Sequence, residues 1–258
     1  MALGPENRYA VGSVAVPRAD QAALDVGLRK YMLGVYNYMA SGLLLTGVVA
    51  LVVASTPALS ALFWQMVPTP RGVALAPTLL GWAAILSPLA FVLVLSFGIN
   101  RLSASTAQLL YWLFAAAMGL SMSNLFLIYT GASVARVFFI TAGMFAAMSI
   151  WGYTTQRDLT KMGSFMMMGL FGIIIASLVN LFIASTALQF AISIIGVVVF
   201  VGLIAFDTQR IKSDYVAFAY AEGTEVAAKR TVFDALALYL NFVNLFQLLL
   251  SLLGNRQQ

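Results

Sequence analysis

Seven runs of about 20 mostly apolar residues, separated by short polar breaks, dominate this 258-residue sequence. A hydrocarbon layer ~30 Å thick is crossed by about 20 residues of helix rising 1.5 Å each. Inside lipid every backbone N–H and C=O has to find a partner within the protein, which leaves helices or closed barrels. Unbroken runs of this length select helices. They lie at 31–54, 77–99, 107–130, 135–154, 164–184, 188–206 (continuing as a polar helix to about 214) and 233–253. The expected fold is all-α: a polytopic integral membrane protein built as a seven-transmembrane-helix bundle. A polar N-terminal tail (1–30), expected to be helical in part from Asp20 to Lys30, precedes the membrane domain (31–254), and a short tail (255–258) follows it. Segment 55–76, with Pro57, Pro68 and Pro70, is the one long break, and its Phe63 and Trp64 are expected to dip into the membrane interface.

Composition closes off several function classes. With 62% hydrophobic and 9% charged residues, the chain has too little polar surface to cover a water-soluble globule. It contains no Cys and no His, which removes disulfides, thiolate or histidine zinc sites, and every Ser–His or Cys–His nucleophile, a rhomboid-type protease included. No phosphate-binding loop or carboxylate metal cluster is evident, and the last span has no lysine to carry retinal. The chain therefore reads as a channel, carrier or regulatory partner, not an enzyme, with no cofactor. Its net charge of +5 marks membrane topology rather than nucleic-acid binding. Residues 1–30 lack an apolar core of the signal-peptide kind.

Orientation follows from the loops. With the N-terminus inside, only Arg71, Arg136 and Arg256 of the 14 Lys and Arg residues fall outside, and all nine acids lie on the inner side or at inner helix ends. That bias predicts a cytoplasmic N-terminus and, after seven spans, an outer C-terminus. Gly42, Gly47, Gly119, Gly143, Gly169, Gly172, Gly196 and Gly202 are expected at helix–helix contacts. The run Met166-Met167-Met168 reads as packing rather than a metal site, because thioethers alone select only soft copper(I). No internal repeat suggests an inverted-repeat transporter.

Ionisable groups at membrane depth are costly, and they direct attention to Asp207, which directly follows an apolar run. Arg210, one turn on, can pair with it. Arg101, at the inner end of the second span, is a second possible counter-charge by depth. Asp207 either marks the membrane boundary in contact with solvent or lies among the helices. In the last span Asn241 and Asn244 share a face that should point into the bundle, either as an interhelical hydrogen bond or as part of a pathway. Because the sixth and seventh helices are antiparallel across one loop, Asn241 can reach the depth of Asp207. Asp234 is expected to cap or charge the start of the last helix.

Several blocks resemble the Bax-inhibitor family: 119–126 (GLSMSNLF), 138–152 (FFITAGMFAAMSIWG) followed by TTQRDL at 154–159, 163–180, 202–211 (GLIAFDTQRI) and 238–254. The resemblance runs in order from about Arg29 to Arg256 and is closest to the bacterial branch. It implies a seven-helix bundle with the last helix central, in a bacterial inner membrane, and a pH-modulated calcium leak. In that family two aspartates near the cytoplasmic mouth share a proton. Asp207 matches the first, and calcium would pass it as the permeant ion. The second falls at 241, where LYLDF is common and this chain reads LYLNF. Two adjacent carboxylates cannot both ionise cheaply, which lets such a pair titrate near neutrality. An amide in place of one removes the like-charge repulsion, so the pH response is expected to be weaker or displaced to more acidic values. Bacterial relatives are also associated with modulation of a membrane-anchored AAA protease of the FtsH type. For that alternative role, the polar segment 1–20 would be the contact.

Overall fold

A computed structural model describes residues 18–69, 72–98, 101–218 and 224–256. In chain order the elements are α1 (Arg18–Ser55), α2 (Pro57–Phe63), β1 (Trp64–Thr69), β2 (Gly72–Pro77), α3 (Leu79–Gly98), α4 (Ala104–Met122), α5 (Asn124–Ile128), α6 (Gly131–Thr154), α7 (Thr160–Ile183), α8 (Thr186–Phe218) and α9 (Thr224–Leu253). Seven helical stretches are long and apolar enough to cross a bilayer: α1, α3, α4 with α5, α6, α7, α8 and α9. The chain is an all-α polytopic membrane protein.

Helix ends follow local chemistry. Ser103 caps α4 by accepting from the Thr106 N–H, and Thr130 caps α6 by accepting from the Ser133 N–H. At the end of α7, Ala184 takes a left-handed conformation (φ 52°) that glycine would adopt without strain. Asn180 supports this turn, its side-chain oxygen accepting from the Ser185 N–H at 3.0 Å.

Several boundaries sharpen or depart from the expected limits. The helix expected from Asp20 to Lys30 is present and runs on without a break into the first span, so one helix, Arg18–Ser55, covers both. The described residues of segment 55–76 carry secondary structure: α2 opens with Pro57 and leads into the antiparallel strands β1 and β2, which pair Trp64 with Pro77 and Thr69 with Gly72. Trp64 is buried and its indole N–H donates to Ser123 Oγ at 2.8 Å, so it anchors these strands to protein instead of sitting at the membrane interface. Ser123 itself interrupts the third span, dividing α4 from α5. Residues 255–256 are likewise held: Arg256 bridges to Tyr129, and the Asn255 N–H donates to Ser133 Oγ at 2.9 Å.

The bundle packs around α9, which touches α1, α4, α6 and α8, while α7 leans chiefly on α8 and α3 chiefly on α4. Tyr111, Phe114, Tyr239, Leu245 and Leu250 are fully buried at its centre. In lipid, such packing rests on close backbone approach more than on transfer from water. Gly119 meets Thr46 and Val49 of α1, and Gly152, which the sequence reading passed over, lies directly on the Ala205 backbone of α8. Any Cβ at 152 would drive α6 and α8 apart. Gly47, Gly143 and Gly172, by contrast, face open space and are not helix contacts. Met166 packs over Gly202, whereas Met167 and Met168 turn outward.

Candidate functional site: a half-buried carboxylate between two helices

Asp207 lies two-thirds of the way along α8, with its side chain 16% exposed. Oδ1 accepts from Arg210 Nε at 3.0 Å and lies 3.0 Å from the terminal guanidinium nitrogen Nη2. Oδ2 accepts from Asn241 Nδ2 of α9 at 2.7 Å. The carboxylate is thus satisfied from two helices, by a cation on its own and an amide on its neighbour. Arg210 extends outward to Asp214, at 3.8 Å, and lies within electrostatic reach of Asp234 as well. Exposure rises along this chain of charges, from 16% at Asp207 to 38% at Arg210 and 46% at Asp214. The site therefore sits where the bundle begins to open.

Asp207 and Asn241 meet as the antiparallel arrangement of α8 and α9 predicts. Arg101 does not join them. The third helix ends at Gly98, and Arg101 lies exposed in the turn that follows, without an ion pair among the described residues. Hydropathy estimates depth but not direction around the bundle, so Arg101 was given the wrong neighbour. Asn244 also diverges from Asn241: its amide donates back to Leu240 O at 2.8 Å and it lines a separate cavity among α7, α8 and α9. The two amides are about 60° apart around the helix and one turn apart along it, and Asn244 satisfies its amide on its own backbone instead of on α8.

Asp234 is not a helix cap. Its helix starts at Thr224, so Asp234 lies well inside α9, 9% exposed, accepting from the Tyr31 hydroxyl at 2.6 Å. Tyr31 stacks on Tyr215 of α8, with ring centroids 4.9 Å apart. This contact ties α1, α8 and α9 together beside the charged residues. A second polar chain runs from Tyr36 through Ser149 to Thr208, linking α1, α6 and α8 immediately next to Asp207. Scattered single hydroxyls in apolar helices carry no periodic signal, and these partners could not be paired from sequence.

The motifs TTQRDL and FDTQRI prove to be one structural unit. Gln209 Nε2 donates to Arg157 O and its Oε1 accepts from the Leu159 N–H, both at 2.8 Å. Lys212 donates to Tyr153 O at 2.9 Å and lies over the Tyr153 ring. Asp158 accepts from the Thr160 N–H and hydroxyl at the start of α7, and these bonds hold its carboxyl below the usual carboxylate range. The α6–α7 loop is thereby stapled to α8 just past Asp207.

Among the described residues no group of three or more His, Cys, Asp or Glu side chains is placed to hold a metal ion. The arrangement offers one carboxylate with an amide and an arginine. Together the seven spans and this carboxylate, braced across two antiparallel helices, define a multi-pass membrane protein with a cluster of partly buried charges at one end of the bundle. The chain belongs to the Bax inhibitor family, whose model (described as inhibitor of apoptosis-promoting Bax1) matches residues 28–258. It is 44% identical to the inner membrane protein YbhL of Escherichia coli over 242 residues, covering 93% of this chain and 98% of the relative. An uncharacterized protein of Rickettsia prowazekii is 50% identical over 234 residues, 90% of this chain and 92% of the relative. One from Caulobacter vibrioides is 44% identical over 255 residues, 98% of each.

Proposed function

We propose that this chain is a calcium-permeable leak pathway of a bacterial inner membrane, with its N-terminus in the cytoplasm and Asp207 as the cation-contacting group at the cytoplasmic mouth. The observation that carries this reading is the bonding of Asp207: a carboxylate set among membrane helices, neutralised by Arg210 and braced by Asn241. A permeating cation would take the place of the Arg210 guanidinium on Oδ1, with the side-chain oxygen of Asn241 close enough to share coordination. The apolar packing of Tyr239, Leu245 and Leu250 beyond this point corresponds to a shut state, so conduction requires α9 to shift against its neighbours. The basic residues gathered at this end and the name of the Escherichia coli relative support the orientation and the membrane.

Calcium flux from proteoliposomes tests this. Asp207→Asn keeps the shape and removes the charge. It should lower flux about tenfold or more, as loss of a carboxylate that contacts the passing cation would. Unchanged flux would remove Asp207 from the pathway. Asn241→Asp places a second carboxylate within 3 Å of the first, and the pair then shares a proton. Native flux should respond weakly to pH across neutrality and the variant steeply. A native profile already steep there, and unaltered by the substitution, would defeat this account of Asn241. Partnership with a membrane-anchored AAA protease would depend on segment 1–20, most of which lies outside the described residues, and no contact described here favours it over flux.

A further inference from the structure

Helices α1 and α6 both pack on α9 and meet each other at the Tyr36–Ser149 hydrogen bond, and a groove runs between them, walled by α1 and α6 at its charged end and floored by α9 further in. Three cavities of about 610, 530 and 250 Å³ follow one another along it. The first and second share Phe145; the second and third share Leu43, Gly47, Phe138 and Phe242. Gly47 leaves the groove open, since a Cβ there would meet nothing within 4 Å. At the charged end the lining changes in a definite order. Asp25 comes first, Arg29 one turn further in, then Met32, Leu33 and Tyr36, and from there the walls are almost wholly apolar. Neither Asp25 nor Arg29 has a salt-bridge partner among the described residues.

We infer that this groove holds one phospholipid with a zwitterionic, primary-amine headgroup, phosphatidylethanolamine in chemical class. In such a lipid the ammonium lies outermost, the phosphate beneath it and the acyl chains beneath that. Asp25, Arg29 and the apolar wall present their complements in the same sequence. Asp25 and Arg29 are separated by about 6 Å of helix rise, a distance that one phosphoethanolamine group can bridge. The stretch of α1 from Arg29 to Ala40 spans ~16 Å of this groove, close to the ~15 Å of hydrocarbon in a single leaflet, and the groove continues beyond it to Leu51. An anionic headgroup lacking the amine would meet Arg29 favourably but Asp25 unfavourably. The groove also adjoins the Tyr36–Ser149–Thr208 chain, so the bound lipid lies beside the polar contacts that lead to Asp207.

The test is native mass spectrometry of the full chain in detergent, supplemented with equal amounts of palmitoyl-oleoyl phosphatidylethanolamine and phosphatidylglycerol. One lipid per chain should remain bound, with the amine lipid favoured about fivefold, the effect of one partly shielded ion pair. Asp25→Asn should erase that preference while leaving binding intact, a reversal that misfolding cannot mimic. Ala146→Phe, from an exposed position that lines the groove, should abolish retention. Gly172→Phe, on α7 where a side chain meets open space, should not. Equal retention of both lipids by the native chain, a preference for phosphatidylglycerol, or full retention by Ala146→Phe would each overturn the inference.

Discussion

Helices α7 and α9 look interchangeable as stretches of membrane-spanning sequence, yet 6% of the residues in the most apolar stretch of α7 are buried against 56% in that of α9. Hydrophobicity does not decide this, because lipid tails accept Leu and Phe as readily as a protein core does. What distinguishes α9 is its polar cargo. Asp234, Asn241 and the Tyr239 hydroxyl each need a partner that lipid cannot provide, and each finds one: Tyr31, Asp207 and Thr46. In α7 the partnered polar groups, Thr160 and Asn180 among them, serve the ends of the helix, and its middle presents Met168, Phe171, Ile175 and Leu178 to the bilayer. In this protein, polar side chains select the central helix and apolar ones fill in around it.

That contrast can be broken by substitution. Leu245→Ala, fully buried in α9, should cost about 2 kcal/mol, the low end for a core because the transfer-from-water part is missing in lipid. Reversible unfolding in mixed micelles measures it, and a value near zero would mean that α9 is not the hub. Tyr31→Phe leaves the buried Asp234 carboxylate without its donor and should cost about 1.5 kcal/mol in the same assay. Leu178→Ala on α7, 58% exposed, should fall within ~0.5 kcal/mol of native. A larger loss would reveal a partner on that face.

The smallest effect concerns the start of α7. Asp158 has its folded carboxyl held below the ordinary range by Thr160, so its contribution is present above the unfolded value and disappears as pH falls through the lower, folded one. Thermal unfolding of Asp158→Asn against native should therefore converge at strongly acidic pH and differ slightly at neutral pH. A difference that grows on acidification would reverse the assignment.

Span number and rough limits were legible because bilayer thickness imposes a length that any apolar run must meet. The pairing of Asp207 with Asn241 was legible too, since α8 and α9 are consecutive spans running in opposite directions, which brings residues at similar depth together. Arg101 was misplaced because depth without azimuth leaves several neighbours possible. Asp234 was misread because α9 begins at Thr224, nine residues before the apolar run does, and charged helix outside the hydrocarbon leaves no hydropathy signal. The β1–β2 hairpin escaped notice because Pro68 and Pro70 argue against a strand. The break at Ser123 escaped because neither glycine nor proline marks it.

The Gln209 clasp has a mechanical corollary. Two positions along an α-helix are about 200° apart, so Asp207 and Gln209 grip opposite flanks of the same rod, one fastened to α9 and the other to the α6–α7 turn. Twisting α8 far enough to unfasten the acid from Asn241 would drag that turn along or tear it loose. The helix behaves as a pinned axle, and its freedom to swivel is set by whichever pin yields first.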